Sequence, residues 1–520
     1  VCLAVFTVRI GQAWGIEAPR SGSTAPWAAL TVDHRCRTFS AMRPQIASLV
    51  LILAGCAADE SPAKPDASDT PADGGDGSDG SDGGDGSDGG DGSEGSDGGE
   101  GSDGGDGSDG GDSGDPPRSA KYRLGQLLFF DRELSGNRDL ACSSCHLPSH
   151  GLGDGLPYAT GPGSVGLGPD RTYTGDPLEG RNAQTLFNLN EFPEIFWDGA
   201  VAGTTELGFS HIHDEEVPLP DGLDNPVAAQ AMFPVVQPAE MRGFEDTFDV
   251  NGNPNDLGAM SQDDTYAIWD ATADRVLAIP EYVELLAEVY PDVPAASLSF
   301  VHVSNAIAEF EIEAFHFDNS PYDRHLAGEA GALDAAQLRG LEIFEGKAGC
   351  GECHTGSLLS DLDYHNTLAP QVGPGRVSGE LDNDGRDLGR WRVTGEDADK
   401  YAFRTPTLRN ITESAPYTHS GSYSTLEAVV RHMLDPVASF DNYDPTQLRA
   451  DVQDQVYTNA EVIAEMKAGV SDKLPKRTLT EAEFDDLMAF LGALTDPAIH
   501  TLADRVTPES VPSGLPVDGR

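Results

Sequence analysis

The sequence predicts an all-α fold in two domains joined by long irregular loops, and three observations carry that prediction. At 520 residues the chain is too long for one core. From Lys121 on, apolar residues recur at helical spacing. Two five-residue motifs, Cys142-Ser-Ser-Cys145-His146 and Cys350-Gly-Glu-Cys353-His354, lie about two hundred residues apart, each behind an amphipathic stretch. Cys-x-x-Cys-His is the attachment spacing of a c-type haem, in which both thiols add to the vinyl groups and the histidine is placed to bind iron. Neither motif has the second cysteine pair that a zinc site would use. The predicted unit is therefore a cytochrome c-like α-domain around one covalently bound haem, present twice.

The amino-terminal part has a different character. Residues 57–118 hold 19 acids against Lys64 and Arg118, about a third of the net charge of −54. From Asp73 to Asp115 every third residue is Asp or Glu, with Gly and Ser between. No apolar side chain larger than alanine is available to offset ordering entropy, so 56–119 is expected to be a disordered Asp/Gly/Ser tether. A collagen helix is disfavoured because the repeat has no proline and its acids repel one another. A calcium-binding β-roll needs an aliphatic anchor in each copy, and none is present. A flexible chain of this length reaches at least ~45 Å.

Ahead of the tether, Met42-Arg43-Pro44 opens a basic segment, Ile46 to Leu53 is apolar, and Leu53-Ala54-Gly55-Cys56 follows. This resembles a bacterial lipoprotein signal peptide over 42–55, with Cys56 the acylated residue. The apolar run is too short to span a bilayer. Residues 1–41 then read as translated upstream sequence. Cys2 and Cys36 fall there, Cys56 carries lipid and four cysteines carry haem, so none is left for a disulfide. The expected location is the bacterial cell envelope, lipid-anchored to a membrane, with the outer membrane favoured because Ala57 is not the aspartate of inner-membrane retention.

Helices are expected where periodicity and caps agree. Leu124, Leu127 and Leu128 give one apolar face before the first motif. Asp334 and Gln337 have capping-box spacing ahead of Leu338, Leu341 and Phe344. Thr480 and Glu483 do the same for Phe484, Leu487, Met488 and Leu491. A helix over Val301 to Phe315 is expected to link the halves. The resulting domains are 120–320 and 321–500, followed by a tail, 501–520.

Longer segments resemble one family. Leu124-Gly-Gln-Leu-Leu-Phe-Phe-Asp131, Arg181-Asn182, Phe196-Trp197-Asp198-Gly199 and Asn319-Ser-Pro-Tyr-Asp323 are similar to the bacterial di-haem cytochrome c peroxidase/MauG superfamily. So are Tyr364-His365-Asn366-Thr367, Thr405-Pro-Thr-Leu-Arg409-Asn410 and Ala415-Pro-Tyr-Thr-His419-Ser-Gly421, in the same order along 121–495. The resemblance implies reduction of hydrogen peroxide with electrons from a small cytochrome c or cupredoxin. It implies a peroxidatic haem at Cys142, Cys145 and His146, with Glu240 as the acid–base group, Gln230 beside it and Trp197 as conduit between the haems. It also implies an electron-transfer haem at Cys350, Cys353 and His354, with Met433, fourteen residues after His419, as second axial ligand. Asn182 and the carbonyls of Ser414 and Pro416 match an interdomain calcium site of hard oxygen donors. A homodimer is allowed and no nucleic acid is expected.

Two departures qualify the resemblance. Reductively activated relatives carry a distal histidine near position 162, where this chain has Pro162, and Gly151 to Asn182 contains no histidine. An insertion over 204–229 carries His211, His213 and acids that read best as a solvated loop. The alternatives are a MauG-type enzyme that oxidatively modifies a residue of a partner protein, and an electron-transfer cytochrome without peroxidase activity.

Overall fold

Two helix crossings organise the molecule, and each turns on a glycine. In the first half, helix Ala120–Phe130 runs against Phe300–Ala314. At their closest approach a Cβ on Gly125 would lie 1.8 Å from the Ala306 carbonyl oxygen, so only glycine fits. Around it Tyr122, Phe129, Phe130, Phe310 and Phe315 pack mostly edge-to-face, with ring centroids 5.2–6.1 Å apart. In the second half Ala335–Glu345 crosses Glu481–Gly492, and Gly340 meets the Asp486 carbonyl in the same way. The Asp334/Gln337 and Thr480/Glu483 capping boxes form at the amino ends of these two helices. Each crossing precedes or closes around one Cys-x-x-Cys-His turn.

The computed structural model describes residues 118–172, 179–202, 209–212, 215–375 and 386–519, with backbone alone for 209–212 and 215–217. All of these belong to one unit, Ser108–Arg520. Cys56, the signal segment and the tether up to residue 117 lie outside the described residues, as do His213 and the side chain of His211. Among the described residues no helix is long and apolar enough to cross a membrane.

The fold is mostly helical with little sheet, and it differs from the sequence expectation in three places. Part of the insertion supplies two strands, Phe209–Ile212 and Glu215–Pro218, which extend Glu194–Ile195 and Val201–Ala202 into a four-stranded antiparallel sheet paired in chain order. A second pairing joins Tyr364–His365 to Phe403–Arg404. The helix expected as a linker over Val301 to Phe315 instead closes the first core, because Val303, Ala306, Ile307 and Phe310 are buried against the first helix. The link is the short extended segment that follows it, up to the Ser320 cap. Finally, residues 497–519 return to the first half. Ile499, Leu502, Val506 and Val511 join its core, and Gln126 Nε2 donates to the Val506 carbonyl at 2.7 Å.

Candidate functional site

The first motif forms a single helical turn, Cys142–Cys145, with His146 as its C-cap. The second forms a 3-10 turn, Cys350–Glu352, with Cys353 and His354 following. All four cysteines are free thiols, and burial pushes Cys145, Cys350 and Cys353 up to about 11. Both histidines are held alike. His146 Nδ1 lies 3.0 Å from the Leu152 carbonyl and His354 Nδ1 lies 2.8 Å from that of Leu359. Burial lowers both rings, which favours neutral imidazole. With Nδ1–H donating to a carbonyl, Nε2 keeps its lone pair for a metal.

Each motif opens on its own cavity, and the two are lined differently. The first, of about 520 Å³, is lined by Cys145, His146, Trp197, Gln230 and Glu240. A smaller space of about 40 Å³ continues it past Cys142 to Glu311. Glu240 sits on a π-helical turn, Pro238–Arg242, and Gln230 on helix Pro226–Ala231. The loop that carries Pro162 is pressed onto this turn, since a Cβ on Gly161 would meet the Ala239 carbonyl oxygen at 1.6 Å. Among the described residues lining the cavity, His146 is the one histidine. His150 stands off it, its ring against Gly168 and its Nδ1 3.0 Å from Ser149 Oγ.

The second cavity, of about 220 Å³, is lined by Cys350, Cys353, His354, Leu426, Val429 and Met433. Met433 lies on helix Leu426–Leu434 and packs with Tyr417, Tyr423 and Val429. The neighbouring His432 is engaged elsewhere: Nδ1 lies 2.8 Å from Tyr423 Oη and Nε2 2.9 Å from the Thr367 carbonyl. His365 also reaches this cavity, but its Nε2 is 2.9 Å from Asp361, which Lys473 holds as well.

Trp197 and Asn182 line both cavities, and the Trp197 indole N–H donates to the Asn182 carbonyl at 3.0 Å. Ser414 and Pro416 line the second cavity beside Asn182, whose backbone N–H donates to the His419 carbonyl at 2.8 Å. Behind them Arg181 bridges Asp198 at 2.7 Å and Asp387 at 2.6 and 2.8 Å, all three buried. The guanidinium holds the Asp387 carboxyl well below the usual range. The His419 ring stacks on Phe403 with centroids 3.6 Å apart, and burial drives it down to about 4.

The residues present fit c-type haem. Each motif brings to its cavity, or to the space that continues it, two free thiols and a histidine whose pKa burial lowers, and buried cationic atoms beside the cavities lack partners. Arg171, 3.5 Å from Cys145 Sγ, has Nε and Nη2 unpaired, and Arg404 on the second cavity has Nη1 unpaired. Buried donors are normally satisfied, and a dianionic cofactor brings the charge that these two lack. Sequence reasoning missed Glu311, Asp387 and the returning carboxy-terminal segment. Glu311 is one polar position within the helix expected over Val301 to Phe315, and Asp387 lies 206 residues from the arginine it pairs with.

A family profile described as di-haem cytochrome c peroxidase matches residues 119–331. Cytochrome-c peroxidase IdrP2 of Denitromonas iodatirespirans is 30% identical over 324 residues, which cover 59% of this chain and 71% of the relative. Methylamine utilization protein MauG of Methylorubrum extorquens is 28% identical over 391 residues, 75% of this chain and 82% of that one. A crystal structure of a MauG-like protein associated with microbial copper homeostasis superposes with a TM-score of 0.50 at 26% identity, covering 74% of this chain and 92% of that one.

Proposed function

The chain belongs to the di-haem cytochrome c peroxidase family, a family of peroxidase-type oxidoreductases with two c-type haems, and on that premise we propose that it reduces hydrogen peroxide to water with electrons from a small extracytoplasmic cytochrome c or cupredoxin. When bound, the haems supply iron for peroxide cleavage and hold the two electrons that H₂O₂ + 2e⁻ + 2H⁺ → 2H₂O consumes. Cys142, Cys145 and His146 would hold one haem, and Cys350, Cys353 and His354 would hold the other. Glu240 takes a proton from one peroxide oxygen and returns it to the other, so that water leaves instead of hydroxide. Gln230 orients the peroxide by hydrogen bonding. Met433 provides a thioether, a ligand that raises the potential and suits an electron store. Trp197, shared by both cavities, is the conduit.

The observation that carries this reading is the asymmetry of the cavities. A carboxylate and an amide share the first with His146, and a thioether shares the second with His354. The test is Glu240→Gln in the holoenzyme. We expect peroxide turnover to fall by roughly 10²–10⁴-fold while both haems still reduce normally. Retained turnover would remove Glu240 from its role; no peroxide turnover in the unaltered holoenzyme, with both haems still reducible, would favour an electron-transfer cytochrome.

A second reading, MauG-type oxidation of a residue on a partner protein, is favoured by one feature: no second histidine is present among the described residues lining the first cavity. The two readings separate on the resting state of the first haem, taken up below. We further propose calcium at Asn182 and the carbonyls of Ser414 and Pro416, which all line the second cavity and offer the hard oxygen donors that calcium takes. Attachment to the cell envelope through Cys56 is part of the same proposal. The lipobox-like Leu53-Ala54-Gly55-Cys56 supports it.

A further inference from the structure

A four-residue helix cannot hold its own orientation, because one turn fixes several dihedrals for a single hydrogen bond. The Cys142–Cys145 turn must therefore be positioned from outside, and its N-cap, Ala141, offers no side chain for the purpose. Three contacts do it. The Leu152 carbonyl holds the His146 ring, and Arg171 Nη1 donates to the Ser144 carbonyl at 3.1 Å. The third comes from the far end of the chain. Ser144 Oγ, fully buried between the two cysteines, accepts from the Ala141 N–H at 2.8 Å and donates to Asp518 Oδ2 at 2.5 Å.

Asp518 is itself only 1% exposed, and its carboxylate is paired with Arg132. Its approach is fixed by the strap that carries it. Ser513 Oγ donates to Asp131 Oδ1 at 2.6 Å, Tyr282 Oη donates to Asp131 Oδ2 at 2.7 Å, and Val511 is buried in the first core. The second motif has a different support. Its turn is held through Glu352, an exposed residue that accepts from Arg477 at 2.6 Å.

We propose that Asp518 is a positioning residue for the first haem site, fixing the Cys142–His146 turn through Ser144 Oγ, so that the carboxy-terminal strap is a working part of that site. The inference rests on the reading of this motif as the peroxidatic haem attachment. A buried carboxylate bridging Ser144 and Arg132 sets both the tilt of the turn and the charge beside it. Losing the carboxylate would free the turn and leave the Arg132 cation uncompensated beside it.

The experiment uses full-length holoprotein carrying Asp518→Asn, Ser144→Ala or both, with each haem followed separately by redox titration and EPR. In Asp518→Asn we expect the first haem's midpoint potential to rise, its ferric EPR lines to broaden and kcat to fall roughly 10–100-fold. The second haem should be unchanged. Ser144→Ala, which keeps the Asp518–Arg132 pair, should broaden the same lines with little change in potential, and the double variant should be no worse than Asp518→Asn. Unchanged signals from the first haem would overturn the proposal. Equal changes at both haems, tracking a loss of thermal stability, would overturn it as well, since they mark a merely structural contact. Because the readout is each haem's own signal, failure of the peroxidase reading, seen as no peroxide turnover in the unaltered holoprotein, would leave this result separately readable.

Discussion

The two cavities have the same floor and different roofs. On the floor a half-buried histidine follows two thiols and is held by a nearby backbone carbonyl, Leu152 in one case and Leu359 in the other. The first cavity, of about 520 Å³, is also lined by Gln230 and Glu240, and the second, of about 220 Å³, by Met433 with Leu426 and Val429; these added linings are the roofs. A repeated attachment unit is thus specialised by what covers it. A roomy polar roof suits a small polar reactant and proton traffic. A tight roof with one soft donor suits a closed iron that exchanges only electrons.

The largest expected effect comes from replacing the soft donor. Met433→Leu conserves volume, so as a mere core change it should cost less than ~1.5 kcal/mol and leave the haem spectrum alone. If Met433 is the ligand, the second haem should instead show a high-spin ferric signal. Met433→His should lower its midpoint potential by on the order of 0.1 V, inside the ~0.8 V range that axial ligands command. For one electron that is about 50-fold in the equilibrium with a donor. A Met433→Leu protein with an unchanged spectrum would erase the contrast between the roofs.

The next test addresses the first roof as the protein is isolated. The turn that bears Glu240 is packed backbone to backbone against the Gly161 loop. The expected spectrum of the fully oxidised protein contains a high-spin ferric component from the first haem, with no prior reduction. That outcome keeps MauG-type chemistry in play alongside peroxide reduction. Two low-spin irons, one turning high-spin only after half-reduction, would instead mark a reductively activated peroxidase and exclude an open first site.

How far the sequence disclosed this arrangement follows from the range of each interaction. The attachment motifs and the capping boxes at Asp334/Gln337 and Thr480/Glu483 were legible because their chemistry is local, within five residues. Two-residue strands such as Val201–Ala202 are too short to alternate, so the small sheet left no periodic trace. The strap was read as a tail because Val511 and Asp518 sit among prolines and glycines with no repeating face. Long-range charge pairing left no mark either. Arg181 and Asp198 stood in recognisable segments, but nothing around Asp387 announced that it would complete their bridge.

That bridge and the histidine beside it set the smallest expected effect, a pH dependence of stability seated between the two roofs. His419 is buried on Phe403 and lowered to about 4, whereas an unfolded histidine takes up its proton near 6.5. Between those values the unfolded chain binds more protons, so stability must fall as pH falls from about 6.5 toward 4, and is flat above. The loss should be about 2 kcal/mol at pH 5 and about 3 kcal/mol at pH 4. Asp387 acts in a lower window. Its carboxyl is depressed by Arg181, so its contribution is complete above about 4 and is lost only as pH drops further. Denaturant unfolding from about pH 2 to 8 separates the two, because His419→Gln should lessen the slope between 6.5 and 4, leaving the share of His432, which burial also lowers to about 4, and should leave the acid limb in place. A variant that kept the full slope would assign the titration to another histidine, and the interface would then respond to acid through its carboxylates alone.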